Sequence, residues 1–137
     1  MSQEEKTWQE ALDACIEQKL CLASMAKKNA FKAVEKSKND SDFWIGVRRY
    51  KLNNFRYIDS RNMVTYLPEK SELSTEHRCG YITKDGKQYV LKSGSCEQRK
   101  RFLCAKAVRC DGKLTNSYYG IGYAGEITCA KPCPLFS

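Results

Sequence analysis

Phe43-Trp44-Ile45-Gly46-Val47 marks the point where the chain changes its rhythm. The stretch is apolar, short and rich in β-formers, and reads as a buried strand. Before it, apolar residues recur every three or four positions. After it, the period falls to two. Helices therefore precede strands, the order of an α+β domain.

On the amino-terminal side, Thr7-Trp8-Gln9-Glu10 has capping-box form. Trp8, Ala11, Leu12, Cys15 and Ile16 then make one stripe on a 3.6-residue period, with Glu10, Asp13 and Glu17 off it. A helix ending near Lys19 is predicted. Leu22-Ala23-Ser24 leads into a second helix, from about Met25 to Glu35, burying Ala26, Ala30, Phe31 and Val34 and exposing Lys27, Lys28 and Lys32. The polar break from Lys36 to Ser41 holds Asn39-Asp40-Ser41, an N-glycosylation acceptor on the surface of a secreted chain.

On the carboxyl-terminal side, Phe55-Arg56-Tyr57-Ile58 follows a polar Asn53-Asn54 turn. Residues 59–78 are long and weakly patterned, as expected of a functional loop. Two strand-like runs, 79–83 and 88–91, flank Lys84-Asp85-Gly86-Lys87, and Asp-Gly there predicts a hairpin with positive φ at both turn residues. A last strand is expected near Arg101–Ala105. Residues 108–137 form a Cys/Gly-rich extension, with four of the eight glycines and two of the three prolines.

The whole chain has 137 residues, enough for one domain, here placed at 1–107. No apolar run approaches the roughly 18 residues that span a bilayer, so no membrane insertion is expected. The start, Met1-Ser-Gln-Glu-Glu-Lys6, is not a signal peptide, yet eight cysteines without a Cys-x-x-Cys pair read as disulfides of an oxidising, extracellular setting. The chain is therefore expected to be an excised domain, a truncated gene or an unusual precursor.

Several motifs occur together and in order: Thr7-Trp8-Gln9-Glu10-Ala11 to Cys15, Leu22-Ala23-Ser24, Phe43–Val47, Phe55-Arg56-Tyr57-Ile58-Asp59, and Cys79, Cys96, Cys104. They resemble the C-type lectin-like domain, closest to its calcium-independent, natural-killer-receptor-like branch. The resemblance spans roughly residues 6–106. It implies two helices packed on short antiparallel sheets, a long loop region, and disulfides Cys15–Cys104 and Cys79–Cys96. Cys21, Cys110, Cys129 and Cys133 are extra, with three pairings open, or one cysteine free or joined to another chain in a homodimer.

Two departures from the family pattern stand out. Members usually begin with a strand before the first helix, so the last strand here is expected to lack its partner and leave an open edge. Leu114–Ile121 folding back is one candidate for it. Calcium-dependent members carry Glu-Pro-Asn or Gln-Pro-Asp in the long loop and Trp-Asn-Asp before a cysteine. Here those places read Leu67-Pro68-Glu69 and Leu91-Lys92-Ser93. Calcium wants six to eight oxygens, and Glu69 alone cannot supply them, so neither metal nor cofactor is expected.

Other chemistry is weak. Gly120-Ile121-Gly122-Tyr123-Ala124-Gly125 spells a dinucleotide fingerprint without its strand, helix or acid. The lone His77 and the pairs Glu4/Glu5 and Glu69/Glu72 assemble no catalytic set, and no enzyme is expected. A net charge of +8 favours anionic partners; nucleic acid ranks below an anionic glycan or an acidic protein face. The expected function is a non-catalytic recognition domain. Its candidate ligand-binding residues are Arg48, Arg49, Tyr50, Tyr66, Glu69, Lys70, Tyr89 and Lys92. The alternatives are a carbohydrate-binding lectin, with or without calcium, and a disulfide-linked structural or toxin-like subunit.

Overall fold

A computed structural model of the chain describes residues 4–37, 40–51, 54–60 and 62–106, and four dipeptide strands at 110–111, 120–121, 127–128 and 131–132. Asn39 lies outside the described residues, as does most of the extension.

Helix α1 spans Trp8–Glu17. Thr7 Oγ1 accepts from the Glu10 amide at 3.3 Å, and Glu10 Oε1 accepts from the Thr7 amide at 3.1 Å, completing the capping box. At the other end Lys19 adopts φ 62°. The Leu20 amide then donates to Cys15 O and the Lys19 amide to Ile16 O, the two bonds of a Schellman stop, with lysine where glycine is usual. Trp8, Ala11, Leu12 and Cys15 are buried, while Ile16 is half-buried.

Two residues, Cys21–Leu22, form strand β1. Helix α2 is Lys28–Lys36, starting later than the sequence pattern predicts. Met25 is buried ahead of it in the extended lead-in, and Ala26 is exposed. The apolar residues at 25 and 26 thus belong to the approach rather than the first turn. Phe31 is the residue of α2 that is fully buried.

The strands β2 (Phe43–Lys51), β3 (Asn54–Tyr57), β4 (Cys79–Asp85) and β5 (Gln88–Gly94) run in the order β3-β2-β4-β5. Strand β2 outruns the predicted 43–47 because Val47 to Lys51 pair antiparallel with β3. The β4–β5 hairpin closes with Asp85 opposite Gln88. Its loop is Gly86-Lys87, with positive φ at Gly86 and not at Lys87. It is therefore a glycine-first loop, and Asp85 ends the strand instead of entering the turn.

The expected last strand divides in two. Strand β6, Arg101–Phe102, pairs parallel with β2, and β7, Cys104–Ala105, pairs antiparallel with β1. The open edge expected there is thus occupied. Leu22, read from sequence as a lead-in to helix, is the partner of Cys104. Lys6 and Lys100 also exchange two backbone hydrogen bonds of 2.9 Å. Of the stretch 114–121, Gly120–Ile121 is described, and it pairs with Ile127–Thr128.

Both sheet faces are covered. On one lie α2 and a core of Phe31, Phe43, Ile45, Val47, Tyr57, Tyr89 and Leu91. On the other, α1 packs Trp8, Leu12 and Cys15 against Trp44, Cys79 and Phe102. Gly46 is required here, since a Cβ would lie 2.6 Å from the Leu22 carbonyl oxygen. Trp8 Nε1 donates to Ile45 O at 3.0 Å, and Trp44 Nε1 donates to Lys6 O at 3.0 Å. Disulfides join Cys15 to Cys104, with Cα atoms 5.5 Å apart, and Cys79 to Cys96, 5.2 Å apart. Cys21 is disulfide-bonded too, and among the described residues no cysteine is free.

Candidate functional site

Between β3 and β4 the chain makes a long excursion in which the described residues form no regular element beyond the bridges Arg56–Met63 and Glu72–Lys92. Its second half lies along β5. The Glu72 amide donates to Leu91 O at 2.8 Å, and the Ser93 amide donates to Glu72 O at 3.2 Å. Three serines complete the attachment. Ser71 Oγ accepts from the Leu91 amide at 3.0 Å, Ser93 Oγ accepts from the Ser74 amide at 2.7 Å, and Ser93 Oγ donates to Ser74 O at 3.0 Å. Gln88 Nε2 adds a bond to Glu69 O at 3.3 Å. A buried strand edge must have its backbone groups paired, and here a loop segment with hydroxyl side chains meets that need.

The attached segment and β5 enclose an open polar depression of about 250 Å³, lined by Glu72, Ser74, Glu76, His77, Lys92 and Ser93. It mixes carboxylates, hydroxyls, an imidazole and an ammonium, so it can take a polar ligand through hydrogen bonds. The three serines that fasten the segment carry little signal in the sequence, since Ser71 and Ser74 meet partners 20 and 19 positions away.

The eight candidate residues do not converge on one point. Lys92 lines the depression, and Arg49 reaches the carbonyl of Thr75 from β2, bracing the same loop. Glu69 and Lys70 are exposed at a turn, with Lys70 at φ 70°. Tyr66 is half-buried, its ring edge-on to Phe31 at 5.8 Å. Arg48 and Tyr50 take a different surface, since side chains leave a strand on alternate faces. The Arg48 guanidinium lies 4.9 Å from the Trp8 ring centroid, and Arg56 lies 5.1 Å from that of Tyr50. Tyr89 is fully buried and packs on Phe43, with its phenol pushed up first by burial. It is a core residue, not a ligand contact.

Two further arginines, Arg56 and Arg78, bear on Arg48. The hairpin register exposes the first, since β3 sets Arg56 opposite Arg48. Burial first, and then the charge of Arg78, hold Arg48 below the ordinary arginine range.

The places that would carry calcium ligands do not suit a hard cation. Leu91 is fully buried, Leu67 is an exposed hydrocarbon, and Lys92 brings a positive charge. Ser93 Oγ is already committed to Ser74. Among the described residues no three His, Cys, Asp or Glu side chains gather where they could hold a metal ion. No described helix is long and apolar enough to cross a membrane.

The profile of the lectin C-type domain matches residues 4–106. Human C-type lectin domain family 12 member A is 26% identical over 108 residues, covering 77% of this chain and 39% of that protein. The chain thus spans well under half the length of that curated relative. Among solved structures, the C-type lectin domain of murine dendritic cell inhibitory receptor 2, in complex with N-glycan, superposes with a TM-score of 0.61 at 14% identity, covering 77% of this chain and 86% of that one. The mouse scavenger receptor C-type lectin carbohydrate-recognition domain gives 0.61 at 14%, over 75% and 84%. Herring type II antifreeze protein gives 0.62 at 19%, over 77% and 87%. At such identities the superpositions speak for the fold alone.

Proposed function

The chain belongs to the C-type lectin domain family, and from that premise we propose a non-catalytic recognition domain that takes a protein or anionic glycan ligand without calcium. The long loop and the strands beside it make the binding surface. One observation carries this reading. Along Leu91-Lys92-Ser93, where calcium ligands would stand, the loop is fastened by Ser71, Ser74 and Ser93 hydroxyls, with Lys92 in the depression beside them. Hydrogen bonds internal to the chain substitute for ion coordination in setting the loop's shape. The disulfides support an extracellular setting, where such bonds persist. The recognition domain is taken to run to about residue 107, with the Cys/Gly-rich extension following it in sequence.

The test is retention on an array of sulfated and sialylated glycans, paired with thermal melts, in calcium and in EDTA. Retention and melting temperature are expected to match in the two buffers. A melting temperature raised by calcium, or a ligand released by EDTA, would overturn the reading.

A further inference from the structure

Helix α2 turns its apolar side inward, with Phe31 buried and Ala30 and Val34 packed against the core. On its other side Lys28, Lys32 and Lys36 are exposed. Residues four apart on a helix are offset by about 40° and rise about 6 Å, so the three lysines follow one stripe about 12 Å long. The single carboxylate of the helix, Glu35, is turned to the sheet, where its Oε2 accepts from the Tyr89 amide at 3.1 Å. Among the described residues, no carboxylate lies within ion-pair distance of Lys28, Lys32 or Lys36. Like charges four apart repel along a helix. The first turn has no acid, and Lys27 and Lys28 stand at the end where the helix dipole disfavours cations. Packing on the core therefore holds α2 in place while it displays an uncompensated row of positive charge.

We propose that Lys28, Lys32 and Lys36 form a docking surface for a sulfated polysaccharide, each ammonium meeting a sulfate of a chain laid along α2. This is a second surface, sharing no lining residue with the depression beside β5, and it stands whatever that depression takes. Charge complementarity selects the occupant. An ammonium on a flexible stem meets repeated anionic groups as a point charge and needs no fixed fork. An acidic protein face is disfavoured, because protein interfaces are depleted of lysine and rely on aromatic and arginine anchors. The exposed side of α2 has neither. A membrane surface is disfavoured as well, since the apolar side of α2 that would enter it is already packed on the core. The net charge of +8 steers a polyanion inward.

The experiment is calorimetric titration of the full chain with a size-defined heparin hexasaccharide, in EDTA, with thermal melts alongside. Lys32→Gln is expected to weaken binding about threefold, and the triple variant Lys28→Gln/Lys32→Gln/Lys36→Gln about thirtyfold, as for exposed ion pairs lost singly and together. Glutamine matches lysine in helix propensity, so the triple variant should keep the parent's melting temperature. Lys28→Arg/Lys32→Arg/Lys36→Arg keeps the charges and should bind at least as tightly as the parent. Lys106→Gln, at an exposed position after β7 in the separate two-stranded sheet, removes the same charge elsewhere and should stay within about twofold. Equal losses for Lys32→Gln and Lys106→Gln would mean diffuse attraction and would overturn the site, as would undiminished binding by the triple glutamine variant. A hyaluronan hexasaccharide, with carboxylates and no sulfate, bound as tightly as heparin would defeat the sulfate assignment. Phosphatidylserine vesicles bound as tightly, with the same lysine dependence, would defeat the glycan assignment. Failure of the lysine row leaves the loop-surface reading standing, because calcium and EDTA decide that one.

Discussion

Around Trp8 and Trp44 the chain is fastened by burial and a covalent bond, while between residues 62 and 78 it is fastened by hydroxyls and backbone amides. Both indoles are fully buried with their N–H groups bonded, and Cys15–Cys104 ties the first helix to β7. Lys100 closes the same region, its Nζ 4.1 Å from the Tyr81 ring centroid and 3.5 Å from Asp42 Oδ2. No described side chain from 62 to 78 is buried, and Met63 and Leu67 are exposed. Burying a large apolar side chain contributes about 1.5–3 kcal/mol, whereas one hydrogen bond nets about 1 kcal/mol. The stem therefore carries stability, and the loop can vary its surface without endangering the fold.

Removing the covalent tie should do most damage. The double variant Cys15→Ala/Cys104→Ala opens a loop with a sequence separation of 89, and a loss of about 4 kcal/mol is expected in denaturant unfolding. A loss near zero would mean that the buried rings hold the stem unaided. Ser93→Ala should cost about 1–2 kcal/mol, because two hydrogen bonds to Ser74 disappear. Faster hydrogen exchange at residues 71–74, with the stem still protected, would sharpen the division. Exchange quickening throughout would break it.

The smallest effect is expected at Glu10. The Thr7 amide, with help from the Arg99 charge, holds its carboxyl below the ordinary value of 4.5. A native value below the unfolded one contributes stability that is present above pH 4.5 and is lost as pH falls through the lowered native value. Glu10→Gln should therefore lower stability slightly from neutral pH down to 4.5 and flatten the acid limb, the difference from the parent chain vanishing once Glu10 is protonated in both states. An unaltered acid limb would show that the cap does not contribute there.

Much of the stem is legible in the sequence because its signals are local and repeated. Thr7 to Ile16 state a cap and a stripe, and Phe43 to Val47 state a buried strand. The two dipeptide strands β1 and β7 are not legible. Two residues show no period, and their pairing is decided by Gly46, which lets the backbone at Leu22 come close. The calcium-ligand positions could be read against the resemblance, but what replaces the ion could not. A serine that accepts from a distant amide looks like any surface serine until β5 lies beside it. Arg48 and Arg49 adjoin in sequence yet part company, because a strand sends neighbours to opposite faces. Tyr89 was a plausible contact for the same reason: its face is set by pairing, not by composition.

Each tryptophan has a cation against its ring, Arg48 at 4.9 Å from Trp8 and Lys100 at 5.4 Å from Trp44. The molecule thus carries its own optical gauges. Emission should be blue-shifted in the native state and move red on denaturation.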